Sequence, residues 1–137
     1  LLNFIIKKKA YFGRMKIIFK IILALLYSTA LFAAAEDVNF NKESFLKEQA
    51  DGKIVVVKSY NKYCFTCIKQ STVFKEAKKD FNNIVFMSFK QSDKDISEFF
   101  KINRRSTIVI YKDNQEIARS IGESDKSEIY SLIKKNI

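Results

Sequence analysis

From residue 38 onward the spacing of apolar side chains switches between the two periods of regular structure. Ile54-Val55-Val56-Val57 opens a continuous apolar run that reaches Tyr60, the pattern of a strand covered on both faces. Val73, Phe74, Ala77 and Phe81 then recur at three- and four-residue intervals, which predicts a helix with one core-facing stripe. Residues 84–89 read as the next strand, and Asp93 is placed to open a helix carrying Ile96, Phe99 and Phe100. Two further strands, 107–111 and 116–121, flank Lys112-Asp113-Asn114-Gln115, a hairpin signal. At the ends, residues 38–40 form a short edge strand and Asn41 caps a helix through Ala50 that Gly52 terminates. Asp125 with Glu128 predicts a capping pair for a last helix whose Ile129, Leu132 and Ile133 face inward. The order βαβαβ followed by ββα predicts an α/β domain, with a mixed central sheet of four to five strands and helices on both faces.

Residues 15–35 follow a different pattern. Met15-Lys16-Ile17-Ile18-Phe19-Lys20 is a short positive region, residues 21–32 are mostly apolar, and Ala33-Ala34-Ala35 has the small side chains of a cleavage site. This predicts a secretory signal peptide. A membrane span needs about 20 apolar residues, so the apolar core is short for one, although residues 17–35 with Lys20 tolerated would suit an uncleaved anchor. Residues 1–14 begin with Leu and carry Lys7-Lys8-Lys9 ahead of that pattern, so the expected start is Met15 and residues 1–14 are expected to be an over-extended translation. The folded domain is then 36–137, exported to a periplasm or secreted, or held at the inner membrane by its leader.

Setting the leader aside changes the charge. Six of the 25 basic side chains precede residue 36 and no acid does, which lowers the formal net charge from +10 for the whole chain to +4 for residues 36–137. The remaining charges are interspersed, with neither a basic stripe nor the aromatic pattern of a nucleic-acid surface, so no nucleic-acid partner is expected. The 102 residues suffice for one small domain with one core.

The candidate chemistry lies in Cys64-Phe65-Thr66-Cys67, which holds both cysteines of the chain and follows directly on the apolar run. A strand that delivers a dithiol to a helix start exposes the first sulfur to unpaired backbone N–H groups and the positive end of the helix dipole, and both favour a thiolate. Cys64 is therefore expected to be the nucleophile and the more exposed sulfur, with Cys67 one turn on and close enough to close a disulfide. A structural bridge, half of a zinc site, or chance are the competing readings. Zinc is the weakest, because a tetrahedral site needs four ligands and there is neither a histidine nor a third cysteine. A bridge across so small a loop would constrain the unfolded chain little.

The order of elements, the dithiol after the first buried strand, and the Thr107-Ile108-Val109-Ile110-Tyr111-Lys112 hairpin followed by Ile121-Gly122 resemble the thioredoxin superfamily over about residues 38–137. The resemblance implies a thioredoxin-like fold in which Cys64 attacks a substrate disulfide and Cys67 resolves the mixed disulfide. It also implies protein disulfide substrates, periplasmic dithiols such as those of apocytochromes among them, a membrane electron-transfer partner that recycles the pair, no bound cofactor, and a monomer. Tyr63 stands where the family usually has Trp.

Three departures qualify what the resemblance implies. Ser106 occupies the place of the family's cis-proline before Thr107, and a cis bond at Arg105–Ser106 would cost about 2.5 to 4 kcal/mol, so a trans bond and an altered substrate groove are expected. The pair between the cysteines is Phe65-Thr66, and an apolar Phe65 is expected to cover the disulfide and suit an apolar partner. Lys58 replaces a buried acid six residues before Cys64. It either brings an ammonium near the sulfurs and favours thiolate, or runs to the surface, the usual behaviour of a strand-end lysine. Arg104 and Arg105 present a like choice between steering an acidic partner and simple solvation. The expected function is an exported thiol:disulfide oxidoreductase working through Cys64 and Cys67. The alternative is a non-catalytic binding module or Cu(I) carrier that uses the same dithiol.

Overall fold

A computed structural model of the chain describes residues 38–137; the expected leader at 15–35 and residues 1–14 lie outside the described residues. The elements are β1 (Val38–Asn39), α1 (Lys42–Ala50), β2 (Ile54–Tyr60), α2 (Phe65–Asp80), β3 (Ile84–Lys90), α3 (Lys94–Phe99), β4 (Thr107–Lys112), β5 (Gln115–Ile121) and α4 (Lys126–Lys134). They build one sheet in the order β1-β3-β2-β4-β5. β1 and β2 run parallel to β3, whereas β4 is antiparallel to both β2 and β5, so the sheet is mixed as expected. β1 is short, and Phe40 extends its pairing by donating to the Ser88 carbonyl at 2.8 Å.

β2 is central because it is apolar on both faces. Ile54 and Val56 pack into a cluster with Phe74 and Ala77 of α2 and Ile129 and Ile133 of α4. Val55 and Val57 point the other way, into Phe45 of α1, Met87 and Phe89 of β3, Phe100 and Val109. Phe100 is the hub of that second cluster, with ring centroids 4.9 Å from Phe40, 4.9 Å from Phe99 and 5.3 Å from Phe45. Continuous apolar sequence in β2 thus reflects two helix layers rather than one.

Polar residues at the segment ends set the boundaries. The Asn41 side chain accepts from Ser44 N at 2.9 Å and Asp93 Oδ1 accepts from Ile96 N at 3.3 Å, so both expected caps form. The expected pair at Asp125 and Glu128 does not, since the Asp125 side chain makes no capping hydrogen bond. Glu123 binds the amides just ahead of the helix instead: its Oε1 accepts from Ser124 N at 2.8 Å and Asp125 N at 3.0 Å. The hairpin closes through Asp113 and Asn114 at φ 51° and 61°, the left-handed pair of a type I′ turn. Gln49 of α1 anchors this turn, accepting from Asn114 N at 2.8 Å while donating to the Lys53 carbonyl at 2.8 Å.

Phe100→Ala should lower stability by about 3 to 5 kcal/mol, the cost of emptying a well-packed aromatic site. Ile137→Ala, at a half-exposed position, should stay within about 0.5 kcal/mol. Urea midpoints of the two variants check the contrast.

Candidate redox site

β2 ends at Tyr60, and four residues later Cys64 caps α2 from an extended backbone, φ −111° and ψ 108°. Its Sγ accepts from Cys67 N at 3.2 Å, and its carbonyl accepts the first helical bond from Ile68 N at 3.1 Å. The helix start therefore aims a donor at the first sulfur, as the sequence pattern predicts. Cys64 and Cys67 form a disulfide with their Cα atoms 5.2 Å apart. In this oxidised form both cysteines are buried, Cys64 5% and Cys67 3% exposed.

Ser106 touches both sulfurs. Its Oγ lies 3.2 Å from Cys64 Sγ and 3.0 Å from Cys67 Sγ, roofing both sulfurs at once. The residue sits between α3 and β4 with φ 58°, in the left-handed region that costs a non-glycine residue on the order of 1 kcal/mol or more. Three backbone hydrogen bonds hold it there. Ser106 N donates to the Ser59 carbonyl at 3.1 Å, and its own carbonyl accepts from Gly122 N at 2.9 Å and Gln70 Nε2 at 3.1 Å. Gly122 reaches this position with φ 81°, which a side chain would strain. The Arg105–Ser106 bond is trans, there being no cis peptide among the described residues.

Thr107 is buried beside Ser106 but turns away from the sulfurs. Its N donates to Ser59 Oγ at 3.1 Å, and its hydroxyl donates to the Arg104 carbonyl at 2.8 Å. Ser59 Oγ donates to the same carbonyl at 3.0 Å, so the Arg104 backbone is fixed while the side chains of Arg104 and Arg105 remain exposed.

Lys58 is not at the surface. It is fully buried on the α2 side of β2, where its Nζ donates to Ser71 Oγ at 2.5 Å and lies 5.1 Å from the Phe74 ring centroid. Ser71 Oγ in turn donates to the Cys67 carbonyl at 3.0 Å. The snorkelling expected of a strand-end lysine fails because β2 is the middle strand and α2 covers that end of it. A chain of donors thus runs from Lys58 through Ser71 to the backbone of Cys67.

The residues around the motif also depart from expectation. Phe65 does not cover the disulfide: it is 73% exposed, because the first position of α2 points outward. Tyr63 is 87% exposed and Ile68 58%, whereas Thr66 is half-buried. Lys69 stands over the Phe65 ring at 5.2 Å and Lys62 over Tyr63 at 5.6 Å. The rim of the site is therefore apolar and basic together.

Sequence reasoning missed Gln70, Ser59 and Ser71. Gln70 is fully buried, and its Nε2 joins the Ser106 carbonyl to that of Glu123, the latter at 2.5 Å. Its signal was present: a glutamine on the stripe of Cys67, Phe74 and Ala77 is a polar residue in an apolar row. Among the described residues no group of three or more Cys, His, Asp or Glu is placed to hold a metal.

Two sulfurs in a reversible bond, a backbone donor on the first and a hydroxyl against both can accept and return two electrons by thiol–disulfide exchange. The Thioredoxin family model matches residues 36–135. A thioredoxin of Coprinus comatus is 31% identical over 100 residues, covering 71% of this chain and 93% of the relative. An H-type thioredoxin of Fagopyrum esculentum is 30% identical over 81 residues, covering 58% of this chain and 70% of the relative. Among solved structures, Trxlp of Edwardsiella tarda EIB202 superposes with TM-score 0.66 at 23% identity, covering 70% of this chain and 96% of that one. Fasciola hepatica thioredoxin gives TM-score 0.66 at 16% identity over 74% and 100% of the two chains, and at such identities these likenesses speak to fold. Matched along nearly its whole described length, with the dithiol in place at the head of α2, the chain belongs to the thioredoxin family and is a thiol:disulfide oxidoreductase.

Proposed function

We propose that this oxidoreductase is exported and exchanges protein disulfides in a periplasmic compartment, with Cys64 attacking and Cys67 resolving. The observation that carries the assignment of roles is the 3.2 Å bond from Cys67 N to Cys64 Sγ, which favours negative charge on the first sulfur. The Cys64 thiolate attacks a substrate disulfide, one substrate thiol leaves, and Cys67 then displaces the second and closes the internal disulfide. Tyr63, Phe65 and Ile68 give the approach an apolar rim suited to a protein chain. Export is supported by the positive, apolar and small-residue succession at residues 15–35. A membrane electron-transfer protein is the recycling partner in this reading.

Insulin reduction with dithiothreitol as electron source tests the chemistry. The wild type should accelerate precipitation, Cys64→Ser should not, and Cys67→Ser should accumulate mixed disulfides that Cys64→Ser lacks. A trapped adduct on Cys67 in Cys64→Ser, with none on Cys64 in Cys67→Ser, would reverse the roles.

In this reading Lys58 is a buried cation under α2, bound to Ser71 Oγ and linked through that hydroxyl to the Cys67 carbonyl. Lys58→Met, which keeps the length of the side chain, should destabilise the thiolate form and shift the dithiol–disulfide equilibrium several-fold toward the disulfide. Redox titration against glutathione reads this. An unchanged equilibrium would leave Lys58 a packing residue only.

Expression of the whole chain in a bacterial host checks export. The protein should be recovered from the periplasmic fraction with a mature amino terminus near residue 36, and an intact chain in the cytoplasm would exclude the proposal.

A further inference from the structure

The Ser106 hydroxyl is the one side-chain group described in contact with both reacting atoms, and its chemistry is constrained by the state of the sulfurs. Disulfide sulfurs carry no hydrogen, so at 3.2 and 3.0 Å from Cys64 Sγ and Cys67 Sγ the hydroxyl must be the donor. It has a single hydrogen and a free rotor, and therefore serves one sulfur at a time. Three hydrogen bonds hold its backbone at a left-handed φ of 58°, one given by Ser106 N to the Ser59 carbonyl and two accepted by the Ser106 carbonyl from Gln70 and Gly122, and from that backbone the oxygen reaches both sulfurs. Proline, the residue that the family resemblance places here, has no side-chain donor.

We infer that Ser106 is a catalytic hydrogen-bond donor that follows the negative charge from one sulfur to the other during exchange, a role that rests on the oxidoreductase reading. In the reduced protein the Cys64 thiolate accepts from Ser106 Oγ and from Cys67 N. Cys64 attacks the substrate disulfide; the new S–S bond joins Cys64 to the substrate, and the first substrate sulfur departs with an electron pair and takes up the Cys67 proton. Charge now resides on Cys67, and the Ser106 hydrogen turns to it. Cys67 attacks Cys64 Sγ, the mixed disulfide breaks, and the second substrate sulfur leaves as thiolate. Two electrons have passed from the dithiol to the substrate, while Ser106 has kept its hydrogen throughout. Hydrogen bonds to an ionised acceptor are roughly twice as strong as neutral ones, so the hydroxyl stabilises the thiolate state over the disulfide.

The test compares Ser106→Ala with Ser106→Gly. Both remove the hydroxyl, but glycine accepts the left-handed backbone without strain, so a folding defect in the alanine variant leaves the glycine variant to decide. Thiolate absorbance near 240 nm, followed against pH in the reduced proteins, should show the Cys64 pKa raised by about one unit, a tenfold loss of thiolate stability. Equilibration with glutathione should show a tenfold shift toward the disulfide, about 30 mV lower in potential. Insulin turnover should fall in both variants. If Ser106→Gly retains the wild-type pKa and potential, the inference is overturned, and Ser106 is a backbone element alone. Failure of the oxidoreductase reading itself would appear separately, as a wild type without insulin turnover, and the thiolate titration would still report on the hydroxyl.

Discussion

Because β2 is hydrogen-bonded to β3 on one side and β4 on the other, and is buried on both faces, its register cannot slip without repacking Val55, Val56 and Val57 against the wrong partners. A one-residue slip would exchange the two apolar sets between faces that are each already filled, one by Phe74 and Ile133, the other by Phe45 and Phe100. The end of the strand is thereby set, and with it the point where Cys64 meets the start of α2. The neighbouring strand β4 is equally buried, so its first residues arrive opposite that point. Dithiol and Ser106 come from segments 42 residues apart and meet because both strands are locked in the same sheet.

Around the sulfurs the core gives way to a polar layer. Lys58, Ser59, Gln70, Ser106 and Thr107 are all buried, and burial of such groups without partners costs about 1 to 3 kcal/mol each. Most of that cost is offset by bonds among them and to the backbone, as in the double role of Ser59 toward Arg104 and Thr107. Gln70 Oε1 is an exception, buried with no hydrogen-bond partner among the described residues. A helix, two strands and two loops thus share one hydrogen-bonded block, which supports the strained backbone of Ser106. The reactive disulfide rests on this rigid support while its outer rim stays exposed.

That rim combines aromatic and aliphatic side chains with lysines. Tyr63, Phe65 and Ile68 are exposed beside sulfurs that are themselves nearly covered, so a substrate disulfide must be presented on a chain that can lie against the surface. The arrangement is consistent with protein disulfides as substrates, and Lys62 over Tyr63 and Lys69 over Phe65 add positive charge to the same region.

Local pattern was enough for the elements. Two-faced apolarity in residues 54–57, the three-four spacing after Cys64 and the Asp113-Asn114 turn each have one economical solution, because helix and strand periods and left-handed turns depend on neighbours in sequence. The dithiol at a helix start was legible for the same reason. What sequence by itself left open were side-chain directions that depend on what covers them. Lys58 has the composition of a surface residue and is buried because α2 lies across its strand. Phe65 has the composition of a core residue and is exposed because its position on the first turn of α2 faces away from the sheet. The Asp125 N–H, which the expected pair would leave to Glu128, is bound by Glu123 because the loop, rather than the helix, brings an acceptor to it. Above all, the contact of Ser106 with both sulfurs was decided by tertiary structure alone, since it requires β4 to enter the sheet beside β2 and three backbone bonds to hold a serine where its own preference would not place it.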